Sequence, residues 1–382
     1  MTKQPDIAAP QRAQLAAIAA ENRLRRLSPN QGLDFASNDY LGLARSAGLR
    51  DAVADGIAAG LPIGSGGSRL LRGNHHEHEL LEQDAAEHFG SEAALFFATG
   101  FSANAALFGT LPQRDDLVVH DALIHASVHD GMKLGRARFV AAAHNDVQAI
   151  AAIIADWRST GGRGRVWIAV ESLYGMDGDR APLADLQTLA QREDAWLIID
   201  EAHATGVFGP EGRGLAHAVA DAPNVMTLHT CGKALGVEGA LLCGPRVLID
   251  FTINRGRPFI FSTAPSPLIA HAVRHALRLS AAADDRRTEL RTLYEHANAH
   301  LAARLGVPRT GSQIIPVIIG DNGLTMRTAA ALQSGGFDVR GIRPPTVPAG
   351  TARLRLSMTL NVTRDDVDAL VDLMAGSLAE AA

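Results

Sequence analysis

The sequence predicts an α/β protein with a mostly parallel central sheet and a smaller C-terminal α+β domain. From Ala93 onward, short apolar runs alternate with segments of helical periodicity, which is typical of strands joined by helical crossovers. The apolar runs are nearly continuous, as expected for strands that helices cover on both faces. After two long helical segments, which end near residue 305, the pattern changes, and this change indicates the second domain.

The composition indicates an ordinary globular protein rather than a nucleic-acid-binding or membrane protein. Of the 382 residues, 47% are hydrophobic and 20% are charged, and the net charge of −5 comes without any basic block. No apolar run approaches the roughly 20 residues that span a bilayer, and the first residues lack the apolar segment of a signal peptide. Cys231 and Cys243 form no disulfide framework, so we expect a reducing, cytoplasmic environment.

The N-terminal segment is predicted to form a helix and an arm over residues 1–45. Residues 11–27 place apolar side chains at helical spacing, and Arg23, Arg25 and Arg26 crowd the end. The arginines suit the negative end of a helix dipole or an anion-binding role, and the sequence leaves both open. Residues 33–36 resemble a short strand, and residues 37–43 are rich in turn formers. We assign residues 46–280 to the large α/β domain and 281–382 to the small domain.

Two segments resemble known ligand-binding motifs, a dinucleotide fingerprint and a zinc motif, but we assign no site to them. Residues 63–68 contain closely spaced glycines, but a helical run and Pro62 precede them, whereas the dinucleotide fingerprint needs a strand before it and a helix after it. Residues 74–78 are rich in histidine, yet they lack the one-face spacing of helical zinc motifs. We therefore expect neither a nicotinamide cofactor nor a metal.

The alternating region delivers polar side chains to the ends of its strands. Residues 95–98 form a predicted strand, and Thr99 and Gly100 follow it at the start of a helix, where free backbone N–H groups favour a phosphate-sized anion. Another strand covers 117–120, and His125 begins the helix after it. The strand over 166–170 ends at Glu171, and a further strand covers 240–243.

The most informative strands are those over 196–200 and 225–228. The first ends in Asp200, with His203 close behind it, and the second is followed by Thr230 and Lys233. Ligands bind at the carboxyl ends of strands in open α/β sheets, so we expect these side chains to meet. An aspartate and a lysine delivered there, 233 − 200 = 33 residues apart, suit a pyridine-type cofactor bound as a Schiff base.

Each of these residue types has a chemical reason to be there. The Lys233 amine can form an exchangeable imine with an aldehyde, and the Asp200 carboxylate can keep a pyridine nitrogen protonated. His203 is placed to hydrogen-bond a phenolic oxygen, His125 to stack on a ring, and Thr230 to donate to a phosphate. A structural role is the alternative, since an aspartate at a strand end often caps the next helix and a single histidine is usually a surface or core residue.

The C-terminal part is predicted from a mixed succession of elements. They are helices to about residue 280 and over 284–305, a strand over 314–319, a helix over 323–334, strands over 337–340 and 353–356, and a helix from about residue 364. Thr363 and Asp366 nearly match a capping box at the start of that last helix.

These motifs, in this order, resemble the α-oxoamine synthases, a family of pyridoxal-phosphate (PLP) enzymes with the fold-type I, aminotransferase-like fold. The resemblance runs from about Phe35 to Leu360 and rests on the motifs at 37–43, 64–68, 176–178, 200–206 and 232–233. Within the family, residues 342–348 and 350–356 are most similar to the members that condense L-alanine with a pimeloyl thioester in biotin synthesis. The resemblance implies a PLP-dependent acyltransferase that works as a cytoplasmic homodimer.

The resemblance also implies roles for individual residues. It makes Lys233 the Schiff-base lysine, Asp200 the partner of the pyridine nitrogen and His125 the residue that stacks on the ring, and these three are the implied catalytic residues. The implied pyridoxal 5'-phosphate site consists of Gly100, Phe101, His125, Asp200, His203, Thr230, Lys233 and, from the other subunit, Thr263. The implied substrate site consists of Arg25, His125, Thr346 and Arg355, with Arg355 on the amino-acid carboxylate.

Two features depart from the family pattern. The chain is shorter than usual between Leu27 and Phe35. In addition, Gly175 stands where the family has a serine, whose hydroxyl helps to bind the phenolic oxygen of the cofactor. The absence of that serine leaves His203 to bind this oxygen.

Other functions stay open at this point. One is a sister synthase that joins glycine or serine to a different acyl-CoA, and another is a non-catalytic partner or regulator built on the same fold. The presence of Lys233, Asp200 and His125 together disfavours the regulator, and nothing in the sequence favours the hydrolysis step that a transaminase requires. The sequence also leaves open whether coenzyme A or a carrier protein carries the pimeloyl group.

Overall fold

The structure, a computed structural model, describes residues 6–27 and 29–379. Its helices are α1 (Ala9–Ala20), α2 (Ala47–Ala58), α3 (His76–Phe89), α4 (Gly100–Thr110), α5 (Ala126–Leu134), α6 (Val147–Ser159), α7 (Leu183–Arg192), α8 (Arg246–Arg255), α9 (Arg257–Ile260), α10 (Pro267–Ala281), α11 (Asp284–Leu305), α12 (Asn322–Ser334) and α13 (Arg364–Ala379). Its strands are β1 (Leu33–Asp34), β2 (Ala93–Phe97), β3 (Leu117–Asp121), β4 (Arg138–Ala142), β5 (Val166–Glu171), β6 (Ala195–Asp200), β7 (Val225–Thr230), β8 (Ala240–Gly244), β9 (Ile314–Gly320), β10 (Phe337–Asp338), β11 (Arg340–Ile342) and β12 (Ala352–Ser357).

A 7-stranded sheet has the strand order β2-β8-β7-β6-β5-β3-β4. Neighbouring strands from β7 to β4 are parallel, whereas β8 runs antiparallel to both β2 and β7. The mostly parallel sheet predicted from the sequence is therefore confirmed. Both faces are buried because successive side chains point to opposite sides: Leu197 and Ile199 of β6 belong to one apolar cluster, and Ile198 belongs to the other.

The C-terminal segment builds two smaller sheets. Strands β11, β12 and β9 form an antiparallel sheet in that order, and β10 pairs in parallel with β1. The single strand predicted over 337–340 is thus divided between two sheets. Helix α13 begins with the predicted capping box, since the Asp366 N–H donates to Thr363 Oγ1 at 3.3 Å and the Thr363 N–H donates to Asp366 Oδ2 at 2.8 Å.

The described residues cluster into two compact units. The larger unit consists of Asn38–Gly175 and Asp179–Leu290, and the smaller unit of the described parts of Met1–Ser37, Met176–Gly178 and Arg291–Ala382. From the sequence we expect a different division, with a separate arm over 1–45 and a boundary after residue 280. In the structure the N-terminal residues group with the C-terminal segment because β1 pairs with β10, and the boundary falls after Leu290, inside α11.

The N-terminal helix ends earlier than the sequence predicts. Helix α1 ends at Ala20, and Asn22 has a left-handed φ of 55°. Asparagine adopts this conformation more readily than most residues, and a left-handed residue ends a helix. Arg23 and Arg25 therefore lie beyond the helix, and the helix-dipole explanation for them is wrong.

Two further segments are strand β4 and the histidine-rich start of helix α3. The sequence does not predict β4, because this edge strand begins with the exposed Arg138 and Phe139 and lacks a continuous apolar run. At the start of α3, His75 Nδ1 accepts from the Glu77 N–H at 3.2 Å, and His78 Nε2 lies 2.8 Å from Pro265 O. These contacts give both histidines a structural role.

Among the residues described, no helix is both long enough and apolar enough to cross a bilayer.

Candidate active site

Three adjacent strands bring acidic and hydroxyl side chains to one edge of the large sheet. Asp200 ends β6 and Glu171 ends β5, and the two residues are paired in register. Thr230 ends β7, which pairs with the other side of β6. These parallel strands therefore place Asp200 between Glu171 and the chain that leads to Lys233.

Lys233 lies in a short loop that turns the chain from β7 back into β8. Two backbone hydrogen bonds close this loop: the Cys231 N–H donates to Gly239 O at 2.8 Å, and the Val237 N–H donates to Cys231 O at 3.0 Å. The turn is anchored at both ends by strands whose side chains are buried. The backbone that carries the amine is therefore held in one place.

The Lys233 amine belongs to a chain of polar side chains. Its Nζ lies 2.7 Å from His203 Nε2, and His203 Nδ1 lies 2.7 Å from the Tyr40 hydroxyl oxygen. The Tyr40 hydroxyl donates to Asn38 Oδ1 at 3.0 Å. If the amine donates to Nε2, the remaining ring proton sits on Nδ1 and points to the Tyr40 oxygen. Tyr40 and His203 are both buried, so this chain fixes the orientation of the imidazole.

The Asp200 carboxylate is held from two sides. Asp200 Oδ1 accepts from the Ala202 N–H at 3.0 Å, and Oδ2 accepts from Asn104 Nδ2 at 3.1 Å. Asn104 Nδ2 also donates to Ser127 Oγ at 2.9 Å, and Ser127 Oγ lies 2.8 Å from His125 Nδ1. The network links two of the predicted catalytic residues, Asp200 and His125, through side chains of α4 and α5. Because Asp200 is only 7% exposed, its charge is poorly screened by water.

His125 caps helix α5 through its ring, which accepts from the Ser127 N–H. The ring reaches solvent on one side, but the protein that surrounds the rest of it lowers the pKa of His125 below its ordinary value of 6.5. The imidazole is therefore neutral at pH 7. A neutral, flat ring is suited to stacking on another aromatic ring.

The predicted anion site is the N-terminus of helix α4. Thr99 and Ser102 form a capping box, in which the Ser102 N–H donates to Thr99 Oγ1 at 3.0 Å. The N–H groups of Gly100 and Phe101 lie in the first turn, where a helix supplies them with no partner of its own. A Cβ at Gly100 would lie 4.0 Å from Thr230 Oγ1. A side chain at residue 100 would therefore extend toward the Thr230 hydroxyl, and glycine keeps this side of the helix N-terminus uncovered.

Glu171 is fully enclosed beside Asp200. Burial, followed by the negative charge of Asp200, raises the pKa of Glu171 to about 8. One of its oxygens, Oε2, accepts from the Gly175 N–H at 3.1 Å. At pH 7 Glu171 is therefore protonated, so the edge of the sheet carries the charge of Asp200 without a second negative charge next to it.

The variant Glu171→Gln is expected to remove a pH dependence of stability. The pKa of Glu171 is about 8 in the folded protein and has an ordinary value of 4.5. A folded state that binds the proton more tightly loses stability as the pH rises from about 4.5 to 8. The difference between pH 5 and pH 9 is roughly 4 kcal/mol, so we expect the Tm of the variant to gain roughly 5 °C on that of the wild type over this range, as measured by calorimetry.

The matched control for this experiment is Glu289→Gln, which changes an exposed glutamate of α11. Its Tm should follow the wild-type pH profile throughout. If Glu171→Gln followed the same profile as Glu289→Gln, Glu171 would be ionised at pH 7 and the electrostatic description of this edge would be wrong.

Gly175 lies against His203. A Cβ at Gly175 would stand 2.3 Å from His203 Nε2, which is closer than two non-bonded atoms can approach. The lack of a side chain at Gly175 therefore leaves the space in which the imidazole approaches the Lys233 amine. The departure noted in the sequence is thus coupled to the position of His203.

The remaining predicted site residues are described within their own units. In the larger unit, Thr263 is exposed. In the smaller unit, Arg25 Nη2 donates to Thr346 Oγ1 at 3.0 Å, which brings two of the predicted substrate residues together. Arg355 of β12 is 5% exposed and donates to Ser357 Oγ at 2.5 Å.

Sequence reasoning missed four residues of this edge: Tyr40, Asn104, Ser127 and Glu171. Asn104 carried a usable signal, because it is a polar residue inside the otherwise small and apolar helix α4. The sequence predicts that Glu171 ends a strand. It does not predict that Asp200 lies beside Glu171, because this depends on the order of the strands in the sheet. Tyr40 meets His203 across 163 positions of the chain, a distance that no local pattern bridges.

These residues fit pyridoxal 5'-phosphate. The amine of Lys233, the imidazole of His203 and the carboxylate of Asp200 suit its aldehyde, its phenolic oxygen and its pyridine nitrogen. The helix N-terminus at Gly100, with Thr230 close to it, suits its phosphate, because backbone N–H groups and a hydroxyl are donors for phosphate oxygens. The donors are thus of the right kind for each polar group of the cofactor.

Comparisons with known proteins agree with this assignment. The family model "Aminotransferase class I and II" matches residues 30–373. The chain is 42% identical to the 8-amino-7-oxononanoate synthase of Bordetella petrii, over 91% of this chain and 89% of the relative. It is also 42% identical to the protein of that name from Anaeromyxobacter dehalogenans, over 96% and 94% of the two chains.

Solved structures show the same fold. The serine palmitoyltransferase of Sphingomonas wittichii matches with a TM-score of 0.88 at 25% identity, over 98% of this chain and 99% of that one. The 8-amino-7-oxononanoate synthase of Francisella tularensis matches with a TM-score of 0.75 at 25% identity, over 91% and 98%. The fold class predicted from the sequence is therefore confirmed.

Proposed function

Because the chain belongs to the aminotransferase class I and II family, and within it to the α-oxoamine synthases, we propose that it is a PLP-dependent acyltransferase that condenses L-alanine with a pimeloyl thioester. The products are 8-amino-7-oxononanoate, carbon dioxide and the free thiol, in biotin synthesis. The observation that carries this choice of substrates is the 42% identity, over most of the chain, to relatives named for that product. The arrangement of Lys233, His203 and Asp200 supports the cofactor.

The reaction needs a base that takes a proton from the Cα of alanine and returns one later. PLP, when bound, supplies an electron-poor ring that accepts the negative charge left at this carbon. Lys233 Nζ is the proposed base, and His203 Nε2, 2.7 Å away, orients it. Asp200 supplies the negative charge that faces the protonated pyridine nitrogen. Because Asp200 is buried, this charge interaction is stronger than in water.

Substrate orientation is the proposed task of the smaller unit's residues. A guanidinium binds a carboxylate through two parallel N–H groups, which makes Arg355 suited to the carboxylate of alanine. When Arg355 holds the carboxylate, the bond at Cα that breaks keeps one direction relative to the cofactor ring, which is catalysis by orientation. Arg25 and Thr346, which already share a hydrogen bond, are proposed for the acyl substrate.

The proposal is tested with the purified protein loaded with PLP. We expect release of thiol and carbon dioxide with L-alanine and pimeloyl-CoA, and mass spectrometry should identify 8-amino-7-oxononanoate. A parallel assay with a pimeloyl-loaded carrier protein decides which thioester is preferred. The Lys233→Ala variant serves as the control for uncatalysed thiol release.

A sister synthase is the second candidate, favoured by the match to serine palmitoyltransferase at a TM-score of 0.88. The same assay discriminates between the two, with glycine or L-serine as the amino acid and palmitoyl-CoA as the acyl donor. We expect kcat/KM to be at least tenfold higher with alanine and the pimeloyl thioester, a difference of about 1.4 kcal/mol. Faster turnover with serine and palmitoyl-CoA would assign the chain to the sister activity.

We also propose a homodimer in a reducing cytoplasm. Cys231 and Cys243 are free and buried, which suits a reducing environment. The exposed Thr263 lies two residues after Phe261, which is 70% exposed, and Leu71 is 86% exposed in the same unit. Apolar side chains exposed to this extent are suited to an interface. Sedimentation equilibrium measures the mass and thereby tests the dimer.

The variant Gly175→Ala is expected to weaken cofactor binding about tenfold. The new methyl group would stand 2.3 Å from His203 Nε2 and would displace the ring from Lys233 or from Tyr40. A lost hydrogen bond in a buried setting costs about 1 kcal/mol, and the displaced ring would also lose its contact with the phenolic oxygen. Absorbance titration of the cofactor-free protein with PLP gives the Kd.

The control is Gly376→Ala in α13, where a Cβ meets nothing within 4 Å. This variant should bind PLP as the wild type does. An unchanged Kd in Gly175→Ala would show that the close approach of Gly175 and His203 has no bearing on the cofactor.

A further inference from the structure

A cluster of two histidines and an aspartate lies on the smaller unit. His296 and His300 are one helical turn apart on α11, and Asp368 is in the first half of α13. His296 Nε2 lies 2.6 Å from Asp368 Oδ1, and His300 Nδ1 lies 2.5 Å from the same oxygen. The three ligand atoms all lie within 4.8 Å of one another. Two imidazoles therefore converge on one carboxylate oxygen.

We propose that His296, His300 and Asp368 bind a divalent transition-metal cation of the nickel, copper and zinc group. Imidazole nitrogen is the ligand that these ions prefer among nitrogen donors, and a carboxylate oxygen completes a common mixed set. Three protein ligands leave one position of a tetrahedral ion for water. The site would join α11 to α13 within this unit.

The geometry needs only a small adjustment to take the ion. Zinc binds nitrogen and oxygen at about 2.0–2.2 Å, so neighbouring ligand atoms of a tetrahedral site are separated by roughly 3.4 Å. The present separations from Asp368 Oδ1, 2.6 and 2.5 Å, must therefore open by roughly 1 Å. The side chain of Asp368 is 42% exposed and those of the histidines are 31% and 22% exposed, so an ion has access from solvent.

The backbone is already set for this arrangement. One turn further along both helices, Arg304 Nη2 lies 2.8 Å from Asp372 Oδ1. The pairs 300 with 368 and 304 with 372 advance by four residues on each helix, so contacts between α11 and α13 recur on successive turns. The ligand-bearing positions are therefore held by the helices rather than by a loop, as a metal site requires.

The test uses the tag-free protein with its cofactor bound, first treated with a chelator and then titrated with Zn²⁺ in a calorimeter. We expect one Zn²⁺ per chain. Asp368→Asn and His296→Gln should each weaken binding at least about tenfold, the lower end of the loss found even for residues that only support a metal ligand. The matched control is Asp372→Asn, which removes the neighbouring carboxylate and should leave the affinity unchanged. Zn²⁺ should raise the Tm of the wild type and of the control, but not that of Asp368→Asn.

Cobalt(II) gives a second readout that needs no variant. In the unmodified protein, Co²⁺ at a tetrahedral site of this kind should produce a visible absorption band that Zn²⁺ removes on addition. The proposal is overturned if no Zn²⁺ binds, if binding survives in both ligand variants, or if the bound metal is lost in Lys233→Ala instead. If no Zn²⁺ binds, the correct description is a hydrogen-bonded cluster without metal affinity; in the other two cases the metal binds elsewhere in the protein.

Discussion

The variant Lys233→Ala is expected to fold normally and to lose nearly all of its turnover. The amine is the proposed base and the proposed covalent anchor of the cofactor, and its replacement removes both functions at once. The methyl group of alanine cannot reach His203, whose Nε2 lies 2.7 Å from Lys233 Nζ in the wild type. We expect kcat to fall by at least about 10⁴-fold, the combined loss from base catalysis and from the covalent anchor. Product formation from alanine and pimeloyl-CoA, followed by mass spectrometry, measures the loss.

The sequence makes this experiment unusually clean. The lysines of the chain are Lys3, Lys133 and Lys233. Lys133→Ala is the matched control, since its side chain is 66% exposed and pairs with Asp130 on the surface. Reduction with borohydride should attach the cofactor to the peptide that contains Lys233, in the wild type and in Lys133→Ala alike. Attachment at another lysine, or turnover by Lys233→Ala, would remove the basis of the assignment.

The variant Asp200→Asn is expected to lower kcat/KM about 10³-fold while the protein remains folded. A pair of opposite charges about 4 Å apart contributes about 4 kcal/mol at an effective dielectric constant near 20. Each 1.36 kcal/mol changes a rate tenfold, so the loss of this term corresponds to about three powers of ten. The amide of asparagine keeps the size of the side chain and can still accept a hydrogen bond from Asn104 or from the Ala202 N–H. Steady-state kinetics with alanine as the varied substrate measures the effect.

A second measurement separates the charge of Asp200 from its shape. The charge of Asp200 is one of the causes that raise the pKa of Glu171, after burial. In Asp200→Asn, the loss of Tm between pH 5 and pH 9 should therefore become shallower than in the wild type. The control is Asp130→Asn on the surface, where neither kinetics nor the pH profile should change. An Asp200→Asn variant with activity within tenfold of the wild type would show that the carboxylate has no electrostatic role.

The sequence predicts the strands of the large sheet well because their apolar runs end abruptly. Asp200 closes one such run, and Lys233 follows another after the short polar stretch that begins at Thr230. The carboxyl ends of parallel strands lie at the same edge, so the nearness of these residues follows from the pattern. The roles of the individual residues came from the resemblance, and they stay predictions.

Other features could not be predicted, each for a physical reason. The end of α1 depends on the left-handed conformation of Asn22, which the helical periodicity before it does not reveal. The edge strand β4 is short and begins with exposed residues, so it lacks the apolar run that marks the buried strands. The contact of Tyr40 with His203, and that of His296 with Asp368, depend on tertiary packing. Only the four-residue spacing of His296 and His300 was visible in the sequence.

The loop between β7 and β8, which two backbone hydrogen bonds close, tolerates no change in its length. An added residue between Cys231 and Gly239 would disrupt the backbone hydrogen bond that joins them. It would also displace the tip of the loop. Fusion partners, affinity tags and new chain termini belong elsewhere, for instance at Gly161, which is exposed between α6 and β5 and where a Cβ would meet nothing within 4 Å. For an engineer, the nine residues from 231 to 239 are the part of the chain to leave at its natural length.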